Sequence, residues 1–240
     1  LPESPDFLAG RAGSWPARAP EVHKLSGRMR PAATRDTASV VPAVPTISVV
    51  AILTPERRVR TLALWLIYFM GFLAMYFMLS WIPTLFVDSG YTLVQGIDAL
   101  TGFNLGALPG ILLLGFLTTR LPLVSLLSLF FLAAAAVLFW IGLTQPSELS
   151  TLMMLMFAGG FFLHGGFACL YALAARLYPS DVRAAGVGWA AGLGRMGAIL
   201  SPLLAAALLS AGWGMYNLFS LFALPLIAGG LLLWVFTGDD

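Results

Sequence analysis

The chain has 240 residues, 59% of them hydrophobic and only 10% charged, with a mean hydropathy of +0.89. A soluble domain carries about a quarter charged residues, and one of this length has no core large enough to hide so much apolar surface, so a soluble globular protein is excluded. The net charge of +2 comes with no basic face on a soluble domain, which excludes a nucleic-acid binder, and the single cysteine, Cys169, excludes an internal disulfide.

Residues 1–60 are rich in Pro, Ala, Ser and Arg and lack sustained periodicity. They read as a largely disordered loop, with at most one short helix. They lack the ordered basic, apolar and small-residue regions of a signal peptide. Residues 61–238 form a second region of six apolar segments, at Leu62–Val87, Ala99–Thr119, Leu123–Leu143, Leu149–Ala175, Ala184–Ala211 and Met215–Phe236. Each is long enough to cross a bilayer as a helix, which takes about 20 residues. The expected fold is an all-α integral membrane protein with six transmembrane helices.

Lys and Arg set the orientation. Nine basic residues, Arg11 to Arg60, precede the first segment; Arg120 lies between the second and third, and Arg176 and Arg183 between the fourth and fifth. The alternate loops carry only Asp88, Asp98 and Glu148. The positive-inside rule therefore places the leader, the Arg-bearing loops and the C-terminus in the cytoplasm of a multi-pass inner-membrane protein. Trp81, Trp140 and Trp213 fall at outer ends and Trp65 and Trp234 at inner ends, as an aromatic belt requires.

Within the fifth segment, Gly192-x-Gly194-x-x-Gly197 spells a dinucleotide-binding loop. Such a loop must join a strand to a helix and be followed by an acid about 20 residues on. Here the glycines lie inside a helix-length apolar run, and no Asp or Glu occurs from Val182 to Gly238. Close helix approach explains small residues in a membrane better; Gly188, Gly192 and the Gly102-x-x-x-Gly106-x-x-x-Gly110 ladder fit it.

Arg195 is 12 residues past Arg183. At ~1.5 Å per residue this is ~18 Å deep, near the middle of a ~30 Å core. A guanidinium there needs a partner, and the six segments contain no acid. Three roles are open: binding an anionic substrate or coupling, hydrogen bonding between helices, and snorkelling. His164, 12 residues before Arg176, reaches the same estimated depth. It is either a proton carrier or a neutral histidine bonded between helices. Asn104, Tyr76 and Tyr171 are candidate cavity liners, with plain packing the alternative. His164 has no nearby acid, cysteine or second histidine, so no metal, cofactor or catalytic set is expected.

Three stretches carry a family resemblance. "LPESPDFL" (Leu1 to Leu8) resembles the "PESPRFL" element that follows the sixth helix of many major facilitator superfamily transporters. "LWLIYFMGFLAMYFMLSWIPTLFVDSGYT" (Leu64 to Thr92) is similar to the seventh helix of the aromatic acid:proton symporters. "ALAARLYPSDVRAAGVGWAAGLGRMGAILSPLL" (Ala172 to Leu204) resembles their pattern "YPxxxRAxGVGWAxGxGRxGAIxxP", with Arg183 and Arg195 on its arginines.

The resemblance implies the central cytoplasmic loop and the last six helices of a twelve-helix transporter, the first six-helix half being absent. It implies proton-driven uptake of aromatic carboxylates by alternating access between two halves. It places Arg195 in the central cavity or its support, and Arg120, Arg176, Asp181 and Arg183 at the cytoplasmic gate. One departure is "GFLTTRLPLV" (Gly115 to Val124), where Thr119 replaces the acid of the family's "GxxxDRxGRR". Transport of another solute on the same fold, or an inactive truncated half, are the alternative functions.

Overall fold

The computed structural model describes residues 52–236. Six helices follow one another: α1 (Arg58–Asp88), α2 (Leu93–Leu117), α3 (Leu123–Thr144), α4 (Leu149–Leu177), α5 (Arg183–Ser210) and α6 (Met215–Leu232), with α6 closing in a 3₁₀ turn, Leu233–Phe236. All six are long and apolar enough to cross a membrane. Most of the leader lies outside the described residues. Its last part is ordered onto the bundle: Ile52 is fully buried, and the Thr61 hydroxyl donates to its carbonyl at 3.4 Å.

The main departure from the sequence reading is at α2, which starts at Leu93 rather than near Ala99. Thr92 accepts from the Gln95 amide while the Gln95 side chain accepts from the Thr92 amide. This reciprocal cap satisfies two end donors and starts the helix a turn and a half early. Asp98 is thereby an exposed residue within α2, so the apolar spans are not free of acids.

Three helix pairs make the bundle. In α2 and α4 the glycines remove the side chains that would separate the backbones. A Cβ on Gly106 or Gly110 would overlap the backbone of Phe157 or Phe161, and one on Gly160 the carbonyl of Phe103. In α1 and α5, Gly197 lies against the backbone of Phe69 and Leu73, and Gly194 against Tyr68 and Phe72. Both pairs run parallel. In α3 and α6, which run antiparallel, the Ser128 hydroxyl donates to the Gly230 carbonyl at 2.8 Å and accepts from Trp234 Nε1 at 3.2 Å.

The glycine expectation is therefore corrected in part. Gly106 and Gly110 are packing glycines, but Gly102 touches its neighbour only loosely. Gly188 and Gly192 meet nothing within 4 Å among the described residues, and Gly194 and Gly197 do the packing. The loops alternate between two ends. At the end opposite Arg183, the Tyr91 and Tyr216 hydroxyls donate to the carbonyls of Ser147 and Pro146, both at 3.3 Å.

Candidate functional site

Tyr68, Phe72 and Tyr76 recur every fourth residue on α1, so they share one face. Phe167 and Tyr171 do the same on α4. The two faces interlock edge to face: Tyr68 with Tyr171 at 5.3 Å between centroids, Phe72 with Phe167 at 4.6 Å, and Tyr68 with Phe167 at 6.1 Å. Tyr76 extends the strip from Phe72 at 5.9 Å. Tyr68 is fully buried beneath it, while Tyr76 and Tyr171 keep about two fifths of their surface exposed. Edge-to-face geometry matches the positive ring edge to the negative ring face. The strip thus ends in two tyrosines that offer further faces and hydroxyls.

Arg195 follows on α5 the glycine that packs on this strip. Its neighbour Gly194 is buried against Tyr68 and Phe72, and Arg195 itself is exposed. Among the described residues it has no hydrogen bond, ion pair or ring contact.

The packing register also fixes relative depth. Gly71 of α1 meets Phe167, Tyr68 meets Tyr171, and Gly194 of α5 meets Tyr68 and Phe72. Arg195 is thus level with the Phe167–Tyr171 turn. His164 sits about one turn, ~5 Å, farther from the Arg183 end. Equal residue counts gave equal depths only by treating Arg176 and Arg183 as level, whereas Arg176 lies within α4 and Arg183 begins α5.

His164 belongs to a second group, on α2 and α4. Its ring meets that of Phe103 at 4.9 Å between centroids, tilted at 57°, and Nδ1 lies 3.1 Å from the Gly160 carbonyl of its own helix. A carbonyl only accepts, so this bond puts a proton on Nδ1 and leaves Nε2 as the open nitrogen of the neutral ring. Asn104, next to Phe103, is exposed and donates to the Leu100 carbonyl at 2.9 Å. Asp98, Thr101 and Asn104 follow one another at every third residue, all exposed.

The four gate candidates lie at one end. Because α2 and α4 are parallel, Arg120 just beyond α2 and Arg176 in the last turn of α4 share that end with Arg183. Arg120 places its guanidinium 5.9 Å from the Phe116 ring. Thr119 spends its hydroxyl on the Phe116 carbonyl at 2.7 Å. Arg183 donates from Nε to the Tyr178 carbonyl at 3.2 Å. Arg176 and Asp181 are exposed.

Sequence reasoning missed Tyr68, Phe72 and Phe167. Their signal was the four-residue spacing of aromatics on α1 and α4, which is visible in the chain but common in apolar helices.

The Major Facilitator Superfamily profile matches residues 64–240. A gallate transporter of Pseudomonas putida is 34% identical over 96% of this chain and 51% of its own length. A 3-(3-hydroxy-phenyl)propionate transporter of Escherichia coli is 35% identical over 77% of this chain and 45% of its own. A 4-hydroxybenzoate transporter of Pseudomonas aeruginosa is 37% identical over 69% of this chain and 37% of its own. The chain spans about half the length of the first of these relatives and less of the others. The expected resemblance to aromatic acid transporters is thereby supported, and six apolar membrane-spanning helices and a match over most of the sequence lead to one assignment: the chain belongs to the Major Facilitator Superfamily.

Proposed function

We propose that this chain is one six-helix half of a proton-coupled carrier that takes up aromatic carboxylates by alternating access. The observation that carries the reading is Arg195: a guanidinium near mid-membrane by its place in α5, exposed, without a partner among the described residues, and next in the chain to Gly194, which packs on the aromatic strip. A planar guanidinium matches a carboxylate bidentately, and the rings of Tyr76 and Tyr171 match an aromatic ring. The named substrates of the relatives above are aromatic acids, and such a solute carries both groups.

In this reading Arg195 takes the carboxylate, and Tyr76, Tyr171 and Asn104 line the cavity. His164 accepts the coupled proton at Nε2. Arg120, Arg176, Asp181 and Arg183 form the cytoplasmic gate. A second six-helix half supplies the facing wall, and residues 1–60 form the cytoplasmic loop that joins the halves. The protein lies in the inner membrane with that loop and the C-terminus in the cytoplasm. A sugar or an organic cation has no use for an unpaired arginine at that depth.

The test is uptake of labelled 4-hydroxybenzoate by cells expressing the full-length protein, with a protonophore and with competing benzoate or glucose. Uptake that rises with an inward proton gradient, collapses with the protonophore and is competed by benzoate alone is expected. Competition by glucose alone overturns the substrate class. Uptake indifferent to the protonophore overturns proton coupling.

A further inference from the structure

The helices α3 and α6 pack on each other and, through one side of the pair, on α4 and α1. On that side of α6, Leu218, Phe219, Phe222 and Leu226 are buried. Asn217, Leu221 and Leu224, spaced by four and three residues, share its outward face. This face and α3 border a groove of about 450 Å³, lined by Phe139, Trp213, Asn217, Ser220, Leu221 and Leu224. None of the six belongs to the aromatic strip or to the His164 group. Gly142 of α3 makes room for the half-buried Ser220, because a Cβ there would overlap the serine hydroxyl.

The groove is polar at one end only. Trp213 precedes α6, Asn217 is in its first turn and Ser220 in its second, all at the end opposite Arg183. Leu224 lies ~14 Å into the helix, about half of a ~30 Å hydrocarbon core. The groove therefore runs from the membrane surface to near the midplane, the depth of one leaflet. Among the described residues, the Trp213 indole, the Asn217 amide and the Ser220 hydroxyl make no hydrogen bond. All three can donate. No charged side chain lines the groove.

Three free donors above an apolar trough call for a ligand with acceptors at its head and hydrocarbon below. The ester carbonyls and acyl chains of a glycerophospholipid have that order, at that depth. A helix of a second copy fits less well, because its backbone carbonyls are already bonded within the helix. We propose that the α3–α6 groove binds one glycerophospholipid of the leaflet opposite the Arg183 end. Its ester carbonyls accept from Trp213, Asn217 and Ser220, and one acyl chain lies along Phe139, Leu221 and Leu224. The absence of charge in the lining makes the ester region, rather than the headgroup charge, the recognised part. The site rests on the membrane-spanning fold and not on the carrier reading.

The experiment titrates the delipidated full-length protein in detergent with palmitoyl-oleoyl phosphatidylethanolamine and counts bound lipids by native mass spectrometry. The diether analogue of the same lipid, which lacks the ester carbonyls, is titrated alongside. One tightly held molecule of the diester is expected, with the diether bound more weakly. Asn217→Leu and Ser220→Ala should each weaken the diester about two- to tenfold, the factor for one lost hydrogen bond, and leave the diether unchanged. Leu224→Trp, a change at an exposed position that fills the apolar end, should weaken both lipids. Equal affinity of the wild type for diester and diether overturns ester recognition. Binding unchanged in all three variants overturns the site. A wild-type dimer that Asn217→Leu dissociates, with no lipid held, gives the groove to a second copy and overturns the proposal.

Discussion

Tyr68 and Tyr171 meet edge to face, their ring centroids 5.3 Å apart and their planes at 90°. One is fully buried and the other exposed, so the contact carries the packed interior of α1 out to the surface where the proposed substrate would meet it. Such a pair contributes roughly 0.5–1.5 kcal/mol beyond area burial. Tyr171→Leu keeps an apolar side chain but removes the ring. We expect it to raise the KM for an aromatic acid about three- to tenfold in the full-length carrier, while Tyr171→Phe stays near wild type. Equal loss in both variants points to the hydroxyl instead and overturns the ring-contact role.

Arg195 offers a sharper test, because its expected partner is a charge. Hydrogen bonds to charged groups contribute about 1.5–3 kcal/mol, so Arg195→Ala should lower kcat/KM by about ten- to a hundredfold. Arg195→Lys should restore it only in part, since an ammonium cannot form the two parallel bonds of a guanidinium. Uptake at the wild-type rate with alanine at this position would remove Arg195 from the site.

How far the sequence revealed all this depends on the kind of signal. Apolar length alone marked the six helices, because a bilayer demands about 20 apolar residues and nothing else in a chain looks like that. Ends set by side-chain chemistry were harder: the Thr92–Gln95 cap adds Leu93 to Asp98 to α2 although that stretch is partly polar. Glycine spacing showed that close contacts exist but not which glycines make them. Gly102, Gly106 and Gly110 look alike in sequence, and only the facing backbone of α4 separates them. The candidate site was legible in Arg195, Tyr76 and Tyr171, whose polarity stands out in an apolar run. Tyr68 and Phe72 were hidden because an aromatic in a membrane helix is ordinary until its neighbours are known. The shared depth of Arg195 and His164 failed by a turn because residue counting does not fix how neighbouring helices are offset.

The glycine ladder yields a prediction on stability. A Cβ on Gly106 meets the backbone of α4, whereas one on Gly102 comes no nearer than 3.9 Å to the Met153 carbonyl. Overpacking against a backbone costs about 1–3 kcal/mol or more, because no rotamer change relieves it. Gly106→Ala should lower the thermal unfolding midpoint of the purified full-length protein, and Gly102→Ala should leave it unchanged. The same midpoint for both variants means that the α2–α4 contact is looser than described.

Ser128 tests the α3–α6 pair, where a hydroxyl rather than a glycine joins the helices. It is buried, donating to the Gly230 carbonyl at 2.8 Å and accepting from Trp234 Nε1 at 3.2 Å. Hydrogen bonds between membrane helices average ~0.6 kcal/mol and reach ~1.7, because the alternative arrangements in lipid also find partners. Ser128→Ala should therefore destabilise the bundle by about 1 kcal/mol. Ser128→Thr retains the hydroxyl but adds a methyl group to a packed interface, so its loss should come from packing. A double-mutant cycle of Ser128→Ala with Trp234→Phe separates the two bonds. Coupling of a few tenths of a kcal/mol or more is expected if the indole depends on Ser128. Strict additivity would show that Trp234 is held by its other contacts and that Ser128 acts through Gly230 alone.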